Sequence, residues 1–403
     1  MIGTTRRTRV ALATAALAAL LAGCGMKGTP IAAEIDVRTL DAGAYAVDRH
    51  AYPQTAGDNG ALVEGIRMSR AVVPVLRIDP SLAIGQGGRV VKDNAEATTH
   101  LLAQVSKPVL DKENLLTGYS TSGADKPDEP GSDVATSDTT SLTDFVMRFP
   151  DSDTAARAAG ELEDADFGVD PVDNHKLTLP KYPGAYIHWR PGVATVGAFL
   201  AHKEFVISLF VERPKPDDQD LLAWVQKGLD AQVPALDAFT ATPADRLASL
   251  PVDPDGLLAR AVVPDRGQAV PDRDRFASYG PTDFVTNGQD AAGREKLVQD
   301  TGLDAVAIAD TSTVLRVRDA PAGARLITGL IAAAGGDYGA ADAPAKLPGA
   351  RCLQLNSTGG DTRQFSYRCY VTHGRYVEVV VSNDRTDIDQ RATAAYALLA
   401  NSM

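Results

Sequence analysis

Apolar residues along this chain change their spacing repeatedly, and each change marks an element. Leu62, Ile66 and Val73 recur at helical spacing within Ala61 to Val73, followed by an extended Val-Pro-Val-Leu-Arg-Ile run to Ile78. Asn94 to Val105 reads as a helix that Asp93 or Asn94 can cap, and Asp36 to Ala46 has room for a short strand. Ser141 to Phe149 alternates like a strand, and Asp151 to Asp164 is an Ala-rich helix with aspartates at its start. Ala185 to Arg190 and Val196 to Ala201 form a hairpin around Pro191-Gly192. A turn at His202-Lys203 leads to a strand from Glu204 to Glu212, then a helix from Asp218 to Ala231. Thr121 to Thr140, acidic and rich in Gly, Pro and Ser, reads as a long exposed loop, and the prolines of Ala238 to Pro254 as a linker.

The second half repeats this order. Ala71-Val72-Val73-Pro74 returns as Ala261-Val262-Val263-Pro264, and a helix from Asp290 to Asp300 takes the place of Asn94 to Val105. Thr313 to Arg318 is a strand and Pro321 to Ala334 a helix. Pro183-Gly184-Ala185 returns as Pro348-Gly349-Ala350, again followed by a hairpin. The turn at His202 returns at His373, and a Val-rich strand and a final helix, Thr386 to Asn401, close the chain. The pattern predicts an α+β protein of two related domains, residues 36–240 and 257–403, joined by a linker at 241–256. Each would be an antiparallel sheet of three or more strands with packed helices, arising by internal duplication.

Two cysteines sharpen the second hairpin. The midpoint between Cys352 and Cys369 falls between Gly360 and Asp361, where glycines permit a chain reversal, so the two face each other as a disulfide. A redox-active pair would carry a Cys-x-x-Cys spacing, which is lacking here. The repeat checks this pairing. Aligned from Pro-Gly-Ala forward and from the His turn backward, Cys352 falls on Ile187 and Cys369 on Ala198, whose midpoint lies between Gly192 and Val193. The first copy fills with an apolar pair what the second crosslinks.

Residues 1–23 divide into the parts of an export signal. Arg6, Arg7 and Arg9 precede an apolar run from Val10 to Leu20, too short to span a bilayer. The run ends in Leu21-Ala22-Gly23-Cys24, small residues before a cysteine, as in a bacterial lipobox. A thiolate there accepts a diacylglyceryl group as a thioether, and cleavage before Cys24 frees an amine for further acylation such as palmitoylation. The polar residues 24–35 then form a tether. Arg6-Arg7 also fits a twin-arginine signal, although the general secretory route suffices. A disulfide is at home in the compartment such a signal implies.

Removing residues 1–23 takes away three arginines and no acids, so 37 Lys+Arg face 52 Asp+Glu and the net charge moves from −12 to −15. An acidic surface repels nucleic acid and anionic headgroups, leaving lipid as the link to the membrane. Arginine outnumbers lysine 28 to 12, a bias that fits a high-GC, actinobacterial coding origin.

Candidate chemistry is sparse. Gly118-Tyr119-Ser120-Thr121-Ser122-Gly123 misses the Gly-x-Ser-x-Gly register and reads as a loop. His50, His100, His175, His188, His202 and His373 show no metal-binding spacing, so no metal or other cofactor is expected. Asp151-Ser152-Asp153 and Asp253-Pro254-Asp255-Gly256 lack the other ligands of a calcium loop and read as a helix start and a turn. Gly85-Gln86-Gly87-Gly88 lacks the phasing of a phosphate loop and reads as flexible. Tyr182, Tyr186, Trp189 and Phe199 gather on one hairpin, where they could line a groove for an apolar or sugar ligand, although core packing is the ordinary use of such residues.

On the lipobox, the paired α+β copies and the Pro-Gly-Ala hairpins, the chain resembles a family of actinobacterial lipoproteins known only as a domain of unknown function. The likeness covers nearly the whole mature chain, with a larger N-terminal and a smaller C-terminal domain. It implies an address and no catalytic residues. The expected role is non-catalytic binding of an envelope ligand or protein outside the cytoplasmic membrane. The alternatives are an extracellular hydrolase acting on envelope material and a structural spacer.

Overall fold

The computed structural model describes residues 35–52, 55–127, 138–357 and 365–402. Cys24, the expected signal at 1–23, most of the expected tether, part of the acidic stretch after Thr121 and the tip of the cysteine hairpin lie outside these residues. Up to Thr39 the chain forms a unit of its own, and from Leu40 onward a second one. In the first, Val37–Thr39 make a 3-10 turn held by Asp36, whose carboxylate accepts from the Arg38 amide; the expected strand is not formed there.

The second unit contains two seven-stranded antiparallel sheets. Strands β1 (Ile84–Val91), β2 (Thr117–Ala124), β3 (Ser141–Arg148), β4 (His175–Leu177), β5 (Tyr186–Trp189), β6 (Thr195–His202) and β7 (Phe205–Glu212) build the first, in the order β1-β2-β3-β7-β6-β5-β4. Strands β8 (Phe276–Tyr279), β9 (Ala305–Ala309), β10 (Ser312–Arg316), β11 (Tyr338–Ala341), β12 (Arg351–Leu355), β13 (Tyr367–His373) and β14 (Tyr376–Ser382) build the second. Its order, read from the other edge, is β8-β9-β10-β14-β13-β12-β11, the same path through the same seven positions.

The helices follow suit. Before and beside the first sheet lie α1 (Gly60–Met68) and α2 (Val75–Ile78). Between β1 and β2 come α3 (Asn94–His100) and α4 (Lys107–Lys112), where the second copy has α7 (Pro281–Thr286) and α8 (Ala291–Thr301) between β8 and β9. Helix α5 (Ser152–Phe167) corresponds to α9 (Ala320–Ala333), and α6 (Asp218–Ala238) to α10 (Arg385–Asn401). Asp93, Asp151, Asp217, Asp290, Asp319 and Asp384 each accept a first-turn amide as the cap of α3, α5, α6, α8, α9 and α10. Each such cap contributes about 1 kcal/mol.

Registers agree as well as order. His202 pairs with Phe205 and His373 with Tyr376 across two-residue turns, and Lys203 holds φ +53° where the second copy has Gly374 at +57°. Ile187 pairs with Ala198, and Cys352 with Cys369, to which it is bonded. Ile388, Ala395, Leu398 and Leu399 of α10 are buried, and that helix packs on β13 and β14.

Several segments depart from expectation. Residues Gly118 to Gly123 are not a loop but the middle of β2, with Tyr119 fully buried, so the expected loop starts only after Ala124. Small polar residues hid this strand from an apolar-pattern reading. Val75–Ile78 is a helical turn rather than extended, confined between Pro74 and Pro80. Within the stretch expected to link the domains, Ala244–Ser249 form a 3-10 helix whose Leu247 packs with Leu250, Ala56 and Val63. Asp253 there is buried and accepts the amides of Leu258 and Ala259, pinning the start of the second domain.

The glycines at 85–88 are not a flexible loop either. They lie in β1, with a bulge between Gly85 and Gly87, against the α7–α8 connection. A Cβ on Gly85 would stand 2.4 Å from the Gly288 carbonyl oxygen, so only glycine lets the backbones meet. The Gly85 amide donates to the Gln289 carbonyl, and the Arg77–Glu295 and Arg273–Glu96 ion pairs flank this contact. Ala277 and Tyr279 join the core of the first domain, so the two copies share packed apolar surface.

Candidate functional site

Helix α5 covers one half of a face of the first sheet. Ala155, Ala158, Ala159 and Leu162 pack against Phe145, Met147, Phe199 and Val206, all buried. The other half of that face, toward Thr195 and Phe210, has no such cover, and Phe210 is 47% exposed. A cleft of about 250 Å3 opens there, bounded by Asp166, Asn174, His188, Thr195, Gly197 and Phe210, with Val169, Trp189 and Val193 at its rim. Val169 is 61% exposed and Val193 is also exposed, so apolar surface is concentrated around the opening.

One wall is ionic. Glu163, on α5, is buried beside the ammonium of Lys176 on β4, and its Oε1 faces Nδ1 of His188 on β5 at 3.3 Å. Neither of those two facing atoms makes an aligned hydrogen bond with any of the described residues. On the ring's other side Nε2 stands 3.8 Å from Asp166. Phe167 meets the His188 ring edge-on and lies 4.4 Å under the Lys176 ammonium. An imidazole between two carboxylates can exchange a proton or orient a polar group of a bound molecule.

The fold itself does not require these charges. Counting from the equivalent caps Asp151 and Asp319, Glu163 takes the place of Ile331. The matched hairpins put His188 at Leu353, and the pairs Lys176–His188 and Ala340–Leu353 put Lys176 at Ala340. The second copy fills the same positions with Ile, Leu and Ala.

The four aromatic residues expected to line one groove are split between the two faces. Tyr186 and Trp189 are three apart on a strand, an odd spacing that sends them to opposite sides. Phe199 is buried under α5, and Tyr186, its cross-strand partner, passes over Gly160 of that helix. Tyr182 and Trp189 pack against the core on the α6 side, with the Tyr182 hydroxyl donating to Asp230 at 2.6 Å. Of the four, Trp189 borders the cleft.

Of the remaining histidines, His100 and His175 are exposed and the other three occupy structural settings. His50 meets Tyr52 edge-on, His202 reaches Asp237 at 2.9 Å, and His373 lies against Tyr396. Among the described residues no group of three or more His, Cys, Asp or Glu side chains is placed to hold a metal ion.

Three buried acids stand apart from the cleft. Burial pushes Asp144 on β3 well above the usual aspartate value, and neither of its oxygens has a hydrogen-bond partner among the described residues. Burial raises Glu378 on β14 to about 7, against hydrogen bonds from Ser312 and the Val262 amide. It likewise raises Asp283 on α7 to about 7, where Tyr119 and Asn287 donate to it.

Sequence reasoning named His188 only as one of six histidines and missed Glu163, Asp166 and Lys176. A signal for Glu163 existed: it follows Ala155, Ala159 and Leu162 on the apolar stripe of α5, where a carboxylate is out of place.

Residues 51–252 match the N-terminal, and residues 257–402 the C-terminal, domain of unknown function DUF7373. No curated protein matches the chain. With both halves matched in order, the chain belongs to the DUF7373 family.

Proposed function

We propose that the protein is a cell-envelope lipoprotein, anchored through Cys24 at the outer face of the cytoplasmic membrane, that binds a ligand in the N-terminal cleft without transforming it. The observation that carries the reading is the buried Glu163 with His188 and the exposed Lys176 as partners, set beside exposed Phe210, Val169 and Val193. A ligand suited to it has an apolar part for Phe210 and a polar, hydrogen-bonding part for His188 and Asp166. Native mass spectrometry of the protein drawn from its own envelope tests this. A retained small molecule that is lost on Phe210→Ser supports the reading, and a bare protein in every preparation overturns it.

The anchor rests on the signal and lipobox pattern together with the disulfide's fit to an oxidising compartment. Each buried methylene of an acyl chain contributes about 0.8 kcal/mol, so two chains hold firmly. Among the described residues no helix is long and apolar enough to cross a membrane. Cys24→Ser should move the protein from the membrane to the soluble fraction; a C24S form that stays bound contradicts the anchor.

One observation favours a hydrolase: His188 lies between two carboxylates at an open cleft. The hydrogen bonds of the described residues include none from a Ser, Thr or Cys side chain to that ring, and nucleophilic catalysis needs one. Turnover of a simple ester that disappears in His188→Ala would establish the enzyme reading in place of binding.

A further inference from the structure

A second cleft, in the C-terminal domain, is chemically unlike the first. It measures about 260 Å3 and opens between α7, α8 and the face of the second sheet that α9 covers in part. Val306, Ile308, Leu315, Leu330 and Val379 give it an apolar floor. Asp283, Asn287 and Arg294 stand together at its polar end. No cation lies within ion-pair distance of Asp283, and no carboxylate within that distance of Arg294, among the described residues. The guanidinium instead lies over the Phe284 ring at 5.0 Å and donates one hydrogen bond, to the Phe284 carbonyl at 2.7 Å. Its passage there depends on Gly288, where a Cβ would stand 2.1 Å from the arginine Nε.

A half-buried guanidinium that feels Asp283 and Asp290 but is ion-paired to neither, at one end of an apolar trough, is complementary to one ligand class. We propose that this cleft binds an anionic amphiphile, with its carboxylate or phosphate at Arg294 and its hydrocarbon along Ile308, Leu315 and Leu330. Arginine suits either headgroup because its planar donors match both in pairs. Burial raises Asp283 to about 7, so below neutral pH its protonated carboxyl can donate to the same headgroup. The trough is small by the standard of ligand sites, about 300–1,000 Å3, so it takes a single acyl chain rather than a whole diacyl lipid. Occupancy would also be felt between the domains. Asn287, which donates to Asp283, accepts the Gly88 amide of β1, and Tyr119 of β2 donates to the same carboxyl. The inference does not depend on the N-terminal cleft.

Isothermal titration of the full chain carrying C24S, so that no anchor competes, tests it with three twelve-carbon probes: dodecanoate, dodecyl phosphate and dodecylammonium. Both anions are expected to bind at one site and the cation not to bind. Preference for dodecanoate assigns a free fatty acid, and preference for the phosphate assigns a phospholipid-type headgroup. Arg294→Gln should weaken both anions at least tenfold. Leu330→Trp, which fills the trough without touching the arginine, should do the same if R294Q fails to fold. Absence of binding, equal binding of dodecylammonium, or binding unchanged in L330W overturns the proposal. So does anion binding that is lost in Phe210→Ser, which would place the ligand in the other domain.

Discussion

The two domains share one path of seven strands, yet they hold their edge hairpins in different ways. The second copy bonds Cys352 to Cys369, whereas the first sets Ile187 against Ala198. Around the same hairpin the first copy places Glu163, Lys176 and His188, whereas the second places Ile331, Ala340 and Leu353. A covalent bond and apolar packing are the ordinary ways to secure a sheet edge. Burying a carboxylate with two partners is not, because desolvation offsets most of the Coulombic gain and an apolar set of similar volume serves as well. The difference therefore singles out the N-terminal cluster as something the scaffold carries rather than something it needs.

The largest expected effect concerns buried acids. Glu378 and Asp283 both have folded-state values near 7, above the usual carboxylate values of 4.5 and 3.8. The native state thus keeps protons that the unfolded chain has already released, and stability falls as pH rises from about 4.5 through 7. Glu378 accounts for about 3 kcal/mol of that loss and Asp283 for about 4 kcal/mol. Thermal melts between pH 5 and 8 should show it, and Glu378→Gln should flatten the curve; a melting point that climbs over this range contradicts the assignment.

Next comes the hairpin. Cys352→Ser with Cys369→Ser should destabilise the protein by about 3 kcal/mol in urea melts. Borrowing the first copy's solution, Cys352→Ile with Cys369→Ala, should recover part of that through apolar burial. No recovery would mean that the two hairpins are not equivalent. Gly85→Ala, which forces a Cβ against the Gly288 carbonyl, should cost about 1–3 kcal/mol and loosen the domain contact. An unchanged melt would show that β1 does not hold the domains together. Smallest is the expected stability change on converting the N-terminal cluster to the C-terminal set, within about 1 kcal/mol of the parent.

Much of this architecture was legible beforehand, and for a physical reason. The hairpins, α5, α6, α9 and α10 carry strong periodicity with aspartate starts, and paired positions in a hairpin follow from its midpoint. The strands built from Gly, Ser, Thr and Ala were not legible. Residues Thr117–Ala124 bury themselves between neighbours without the large apolar residues that announce a strand, and the glycines of β1 serve a backbone contact across the domain boundary. The cleft was half legible. His188 was visible as a residue, but its partners Glu163 and Lys176 come from a helix and an edge strand that meet only in the folded sheet. The aromatic residues misled because residues close in sequence on one hairpin alternate between faces.

The most direct test is the triple replacement Glu163→Ile, Lys176→Ala and His188→Leu, followed by melting and by native mass spectrometry of protein from its own envelope. The account predicts a folded variant with nearly parental stability that no longer carries the small molecule retained by the parent. A variant that unfolds would show that the scaffold needs the charges, and one that keeps the ligand would show that the cleft does not bind it; either result contradicts the account.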